Sequence, residues 1–161
     1  MIHFREATET DIPLIGELAR KIWCEWYISI INQDQIDYML ERMYSPESLK
    51  EQMTKKNSRF SLAYLDNRLV AYASVQNEGG KSYFLDKFYV DTQKHKQNIG
   101  SQFFAYLEDI YQPEVIRLRV NRRNFIAINF YFKNGFKIEK VDDLQIGNSY
   151  TMDDFIMKKT F

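Results

Sequence analysis

The stretch NFIAINFYFKNGF, residues 124–136, decides how the rest of the chain is read. Its apolar residues run almost without a break, and the segment stops at a glycine. Gly135 suits the left-handed position that closes a helix, so the spacing predicts a helix from Asn124 to Asn134 with the chain turning at Gly135. On either side lie VIRLRV and FKIEKV, short β-branched and charged alternations that read as strands. YTMDDFIMKKT closes the chain as another.

Working toward the N-terminus, HKQNIG (residues 95–100) joins the strand-like YFLDKFYV to an amphipathic helix over 98–111. Ile99, Phe103, Leu107 and Ile110 form the predicted apolar face of that helix. A helix N-terminus exposes unpaired N–H groups and about half a positive charge, and Lys94, His95 and Lys96 add cationic side chains. The loop therefore reads either as a basic turn that caps a helix or as an anion cradle. It contains neither GxxxxGK[ST] nor GxGxxG.

Further upstream, RFSLAYLD and LVAYASVQ form a predicted hairpin with Asn67 and Arg68 at its turn, and NEGG (77–80) makes a second turn into SYFLDKFYV. The first third of the chain is helical. After a short strand IHFREA, a helix capped by Thr8 or Thr10 buries Ile12, Ile15, Leu18, Ala19 and Ile22. A second helix covers Gln33 to Met43. Ser45 and Pro46 restart a third, with Leu49 and Met53 inward. The order β, helices, β meander, α, β, α, β, β predicts a mixed α/β domain spanning residues 1–161, with helices on the faces of one sheet.

Composition narrows the classes. The chain has 161 residues, 45% apolar, with 12 Phe and 11 Tyr, which suits a single packed core. No apolar run approaches the ~20 residues of a membrane span, and the N-terminus lacks a signal-like stretch. With one cysteine, Cys24, and no internal disulfide to form, a cytoplasmic location is expected. Two distant histidines argue against a zinc site. Net charge is zero, but residues 81–140 hold 11 Lys and Arg against 6 Asp and Glu. Such a distribution suits an anionic ligand in the middle of the chain and a cationic one at the acidic ends, or simply scattered surface charge. The whole-domain basic excess of a nucleic-acid binder is absent.

Residues 124–136 resemble the N-x-x-A-I-x-F-Y-x-K-x-G-F signature of the GNAT superfamily of N-acetyltransferases: Asn124, Ala127, Ile128, Phe130, Tyr131, Lys133, Gly135 and Phe136 match it in place. YVDTQKHKQNIGS is similar to that family's acetyl-CoA loop, and the resemblance covers roughly residues 84–136. His95 stands where Arg or Gln is usual, and Asn98 replaces the first Gly. Asn tolerates a left-handed backbone better than other non-glycine residues, so the cradle is expected to keep its shape. The closing segment and the helix-rich start look similar to bacterial polyamine (spermidine/spermine) N-acetyltransferases.

The resemblance implies the GNAT acyl-CoA N-acyltransferase fold, a twisted, mostly antiparallel sheet of six to seven strands flanked by helices. It implies acetyl transfer from acetyl-CoA, without a metal, to a primary amine of a small molecule, a polyamine among the candidates, by direct attack on the thioester. Cofactor contacts are expected from Phe88, Tyr89 and Val90, from His95, Lys96, Gln97, Asn98, Ile99, Gly100 and Ser101, and from Asn124 and Lys133. The Phe88 N–H is the expected oxyanion donor. Tyr131 is the candidate acid. Asp86, two residues before Phe88 and hence on its face, is the candidate base; its alternative reading is a solvated strand carboxylate. Glu25, Asp153 and Asp154 are candidates to attract a cationic amine or are ordinary surface charge. No nucleic-acid or membrane partner is expected, and a homodimer is left open. Two alternatives remain: a catalytically idle CoA-binding module of the same fold, and an acetyltransferase for protein N-termini or lysines.

Overall fold

In a computed structural model, the backbone is described for residues 1–161, and all side chains except those of His95 and Lys96. Seven strands form one sheet: β1 (Ile2–Glu6), β2 (Arg59–Leu65), β3 (Arg68–Gly79), β4 (Ser82–Val90), β5 (Val115–Asn121), β6 (Lys137–Gly147) and β7 (Tyr150–Thr160). Their spatial order is β1-β2-β3-β4-β5-β7-β6. Every neighbouring pair is antiparallel except β4 and β5.

Five α-helices cover the two faces. On one side lie α1 (Ile12–Trp26), α2 (Gln33–Tyr44) and α3 (Pro46–Thr54); on the other lie α4 (Ile99–Tyr111) and α5 (Phe125–Lys133). Each face has its own apolar core. Ile15, Ile22, Trp23, Ile36, Leu40 and Leu49 of α1–α3 pack on Leu62 and Tyr72. Phe103, Phe104 and Leu107 of α4 pack with Ile128 and Tyr131 of α5 on Ala71, Ala73, Leu85 and Leu118.

Local sequence accounts for most boundaries. Asn32 Oδ1 accepts the Gln35 N–H at 2.8 Å to start α2, and Ser45 Oγ accepts the Ser48 N–H at 3.2 Å to start α3. A short 3-10 turn, Glu9–Asp11, precedes α1, and Thr8 is its cap. Some expectations shift. The β2–β3 turn is built on Asp66 and Asn67, both at positive φ, rather than on Asn67 and Arg68. Ile110 is exposed, because Tyr111 and Phe104 complete the buried face of α4 instead.

Two departures from regular sheet geometry create the space for a site. First, β4 and β5 pair in parallel only from Ser82–Leu85 to Val115–Leu118, after which they separate. Second, the β3–β4 register jumps from Ser74↔Lys87 to Val75↔Leu85, leaving Asp86 as an extra residue in a β-bulge. The bulge flips the alternation, so Leu85 and Phe88 both join the α4–α5 core.

At the far edge, the β6–β7 hairpin curls over α2. Tyr38 donates to the Ile146 carbonyl at 2.8 Å. Gly147, at φ 93°, is required there, since a Cβ would stand 2.6 Å from the Tyr38 hydroxyl oxygen.

Candidate active site

A cavity of about 460 Å³ opens where β4 and β5 part. Its walls come from α1 and α2 on one side, α4 and α5 on the other, and the β6–β7 hairpin at one end. Asp86, Phe88, Tyr89, Val90, Asn98, Gly100, Ser101, Asn124 and Tyr131, all expected at the site, line it together.

One end of the cavity meets the start of α4. Asn98 there adopts φ 58° and ψ 19°, the left-handed conformation expected of it. Gly100 follows, with the Phe130 ring so close that a Cβ would lie 3.3 Å from its edge. Along the opened side of β4, strand alternation decides which amides face the gap. The Asp91 N–H donates to the Val70 carbonyl of β3 at 2.7 Å. Alternation then turns Tyr89 toward β3 as well, and directs the Phe88 N–H and C=O into the gap.

The middle of the cavity holds Asn124 and Tyr131. Asn124 is buried, and its Oδ1 accepts the Ala127 N–H at 3.2 Å, capping α5. Its Nδ2 approaches the Tyr27 hydroxyl at 3.5 Å. Tyr131 is buried against Phe130 and Phe136, and burial pushes its phenol pKa well above the ordinary value.

Aromatic rings make the other end. Trp23 stacks on Tyr27 at 4.3 Å, and Tyr44 and Tyr89 pack around them, with the buried Tyr72 behind and outside the lining. The Tyr72 hydroxyl donates to that of Tyr44 at 2.9 Å. Burial raises the pKa of all four tyrosines, so the rings present neutral hydroxyls at physiological pH.

The face expected for Asp86 needs correction, and some other expected residues stand outside the cavity lining. Asp86 does not share a face with Phe88, because it is the bulged residue. Its carboxylate accepts from the buried Lys87 ammonium, and the Ser74 hydroxyl lies 3.4 Å away, on the α1–α3 side. Lys87 itself donates to Gln52 Oε1 at 2.6 Å. Lys133 is exposed in the last turn of α5 and outside the cavity lining. Ile99 is buried in the α4 core and Gln97 is exposed; neither lines the cavity. The side chains of His95 and Lys96 lie outside the described residues.

Of the three acidic candidates, Glu25 sits at the surface, accepting from Thr92 at 2.7 Å, and Asp153 is exposed. Asp154 is different: fully buried and in the cavity wall. The sequence signal for it was weak, because burial of β7 depends on its pairing between β5 and β6. Lys87 and the aromatic group carry no local sequence signal either. Among the described residues no cluster of His, Cys, Asp or Glu could hold a metal ion. Nor is any helix among them long and apolar enough to cross a membrane.

The pattern of the acetyltransferase (GNAT) domain family matches residues 28–152. The chain belongs to that family, whose enzymes move an acetyl group from acetyl-CoA to an amine. A spermidine N(1)-acetyltransferase from Thermoplasma acidophilum is 28% identical over 167 residues, covering 99% of this chain and 98% of the relative. The crystal structure of PaiA N-acetyltransferase from Thermoplasma acidophilum in complex with coenzyme A superposes with a TM-score of 0.86 at 26% identity, covering 100% of this chain and 99% of that one. The ribosomal-protein-S18-alanine N-acetyltransferase of Escherichia coli shares the fold, with a TM-score of 0.75 at 16% identity over 99% of this chain and 94% of that one.

The site fits the cosubstrate. Coenzyme A needs amide partners for its pantetheine arm and N–H donors for its diphosphate. The opened edge of β4 offers the first, and the α4 N-terminus behind the left-handed Asn98 offers the second.

Proposed function

We propose that this protein acetylates a primary amine of a small cationic acceptor, a diamine or polyamine, by direct attack on acetyl-CoA within a single cavity. The observation that carries the reading is the continuity of that cavity, from the start of α4, past Phe88 and Tyr131, to the aromatic end. The full-length likeness to a spermidine acetyltransferase supports the acceptor class. The single domain 1–161 is part of the same reading.

Acetyl-CoA supplies the acetyl group as an activated thioester. The protein has to hold the donor, orient the acceptor and manage protons. Ser101, Gly100 and the α4 N-terminus cradle the diphosphate, with Asn98 setting the turn. Phe88 offers its N–H to the negative charge that develops on the thioester oxygen. Asn124 fixes the start of α5 and so the position of Tyr131 seven residues on. Tyr131, kept protonated by burial, gives its proton to the departing sulfur. Asp86 accepts an amine proton, directly or through water, with Lys87 holding the carboxylate in place. The neutral rings of Trp23, Tyr27 and Tyr89 suit the methylene chain and the cationic nitrogens of a polyamine.

Free-thiol release from acetyl-CoA over an acceptor panel tests this. Spermidine, short diamines, amino acids and a peptide with a free N-terminus are compared at equal concentration. Release with the polyamines and diamines is expected. Release with the peptide alone, or with none of the panel, contradicts the reading.

A further inference from the structure

Asp154 is a buried titratable group that the mechanism above leaves unused. It lies on β7 opposite Asn121 of β5 and Asp142 of β6, in the wall of the cavity, with its side chain fully shielded from bulk water. Its Oδ2 accepts from Arg119 Nη1 at 3.4 Å, long for a bond between two ions. Arg119 is committed elsewhere, donating through its other nitrogen to the Asp142 carboxylate. Arg122 donates to the Asp154 backbone carbonyl at 3.1 Å and to Asp143 at 2.6 Å, not to the Asp154 carboxylate. Oδ1 has no hydrogen-bond partner at all among the described residues.

A buried carboxylate oxygen with no donor is costly, and native proteins seldom keep one without a use. Asp154 belongs to the cavity wall, so a donor for Oδ1 would come from the cavity side, with a small shift of the lining to expose the atom. We infer that Asp154 Oδ1 receives an N–H of the acceptor's ammonium, making Asp154 the residue that selects cationic acceptors. The inference rests on the small-amine reading of the cavity.

Charge around the group agrees. Arg119 and Arg122 of the β5 end face it, Asp142 of β6 and Asp153 of β7 flank it, and the Tyr27 hydroxyl is close enough to be coupled to it. The cations are shared among four carboxylates, so Asp154 keeps a deficit that a bound ammonium can fill. Burial pushes its pKa up to about 6, with Arg119 only partly offsetting this. The carboxyl is therefore ionised at neutral pH and loses its charge a little below it.

Spermidine kinetics at saturating acetyl-CoA from pH 5 to 8 test the inference, since alkylammonium groups stay protonated over that range. In the parent protein the KM for spermidine should rise as pH falls through about 6. Asp154→Asn should raise that KM about 10²-fold at pH 7.5 and flatten its pH dependence. Its dissociation constant for acetyl-CoA should match the parent's, showing an intact fold. A parent-like KM in the variant, or a retained acid limb, overturns the inference. Should the variant fail to bind acetyl-CoA, the parent profile decides: a KM flat from pH 5 to 8 overturns it. If no amine is turned over, the reading of the cavity as an acetylation site fails separately. Calorimetric binding of spermidine to the CoA-loaded parent then carries this test: affinity should weaken below pH 6, and an unchanged affinity or no binding overturns it.

Discussion

The two ends of the cavity are built differently. The end proposed for the cofactor comes from one run of chain: β4, the 92–98 turn, α4, and α5 a short distance on. The end proposed for the acceptor is assembled from distant pieces: Trp23 and Tyr27, Tyr44 and Tyr89 with Tyr72 behind them, and Asp154 near the C-terminus. The first is held by backbone geometry, through the parted strands and the left-handed Asn98. The second is held by side chains, several of them polar and buried. A site built of backbone tolerates changes of side chain, whereas one built of buried polar side chains stores a cost that each substitution can release or worsen.

The largest effect should come where the two ends meet. Tyr131→Phe keeps the ring and its packing but removes the proton. kcat should fall about 10²–10⁴-fold with the acetyl-CoA dissociation constant nearly unchanged. A kcat within about threefold of the parent, with chemistry rate-limiting, would remove Tyr131 from catalysis.

Next comes a stability effect peculiar to the acceptor end. The folded-state pKa of Asp154 is raised from 3.8 to about 6. The folded protein therefore binds this proton more tightly than the unfolded chain, and above pH 6 the ionised carboxylate is a cost. Stability should rise as pH falls from 6 toward 4, as far as this group is concerned. At most about 3 kcal/mol is involved, from two pKa units at ~1.4 each. Asp154→Asn should thus keep or raise the Tm at pH 7.5 while it weakens acceptor binding. A large drop in Tm would make Asp154 a structural residue.

A smaller effect belongs to the cofactor end. Asn98→Val forces a β-branched residue into a left-handed position and should raise the acetyl-CoA KM about tenfold, or roughly 1.4 kcal/mol. Asn98→Gly should be neutral or better. An unchanged KM in the valine variant would mean that the turn does not shape the cradle.

The smallest is Tyr72→Phe. It leaves the Tyr44 hydroxyl without its 2.9 Å donor and should cost about 1 kcal/mol in denaturant unfolding, with the acetyl-CoA KM unmoved.

The same division explains what the sequence made legible. The helix over 124–134, the start of α4 and the left-handed Asn98 follow from local patterns of caps and apolar spacing. Asp86 did not. Its bulge is set by which β3 residues pair with β4, so a strict period of two put the carboxylate on the wrong face. Lys133 matched a motif by position, yet the last turn of α5 points it to solvent. In sequence Asp154 reads no differently from Glu25 and Asp153, as a candidate to attract a cationic amine or as surface charge. It is buried because β7 is inserted between β5 and β6, a topology no local pattern announces. The aromatic group is likewise drawn from five elements that only the folded chain brings together.

Direct transfer inside one cavity is the central claim, and initial-rate kinetics with both substrates varied, paired with intact-protein mass measurement after incubation with acetyl-CoA alone, test it most directly. Intersecting double-reciprocal lines and an unmodified protein are expected, because donor and acceptor must be bound together and the one thiol, Cys24, is outside the cavity lining. Parallel lines with an acetylated protein would contradict it.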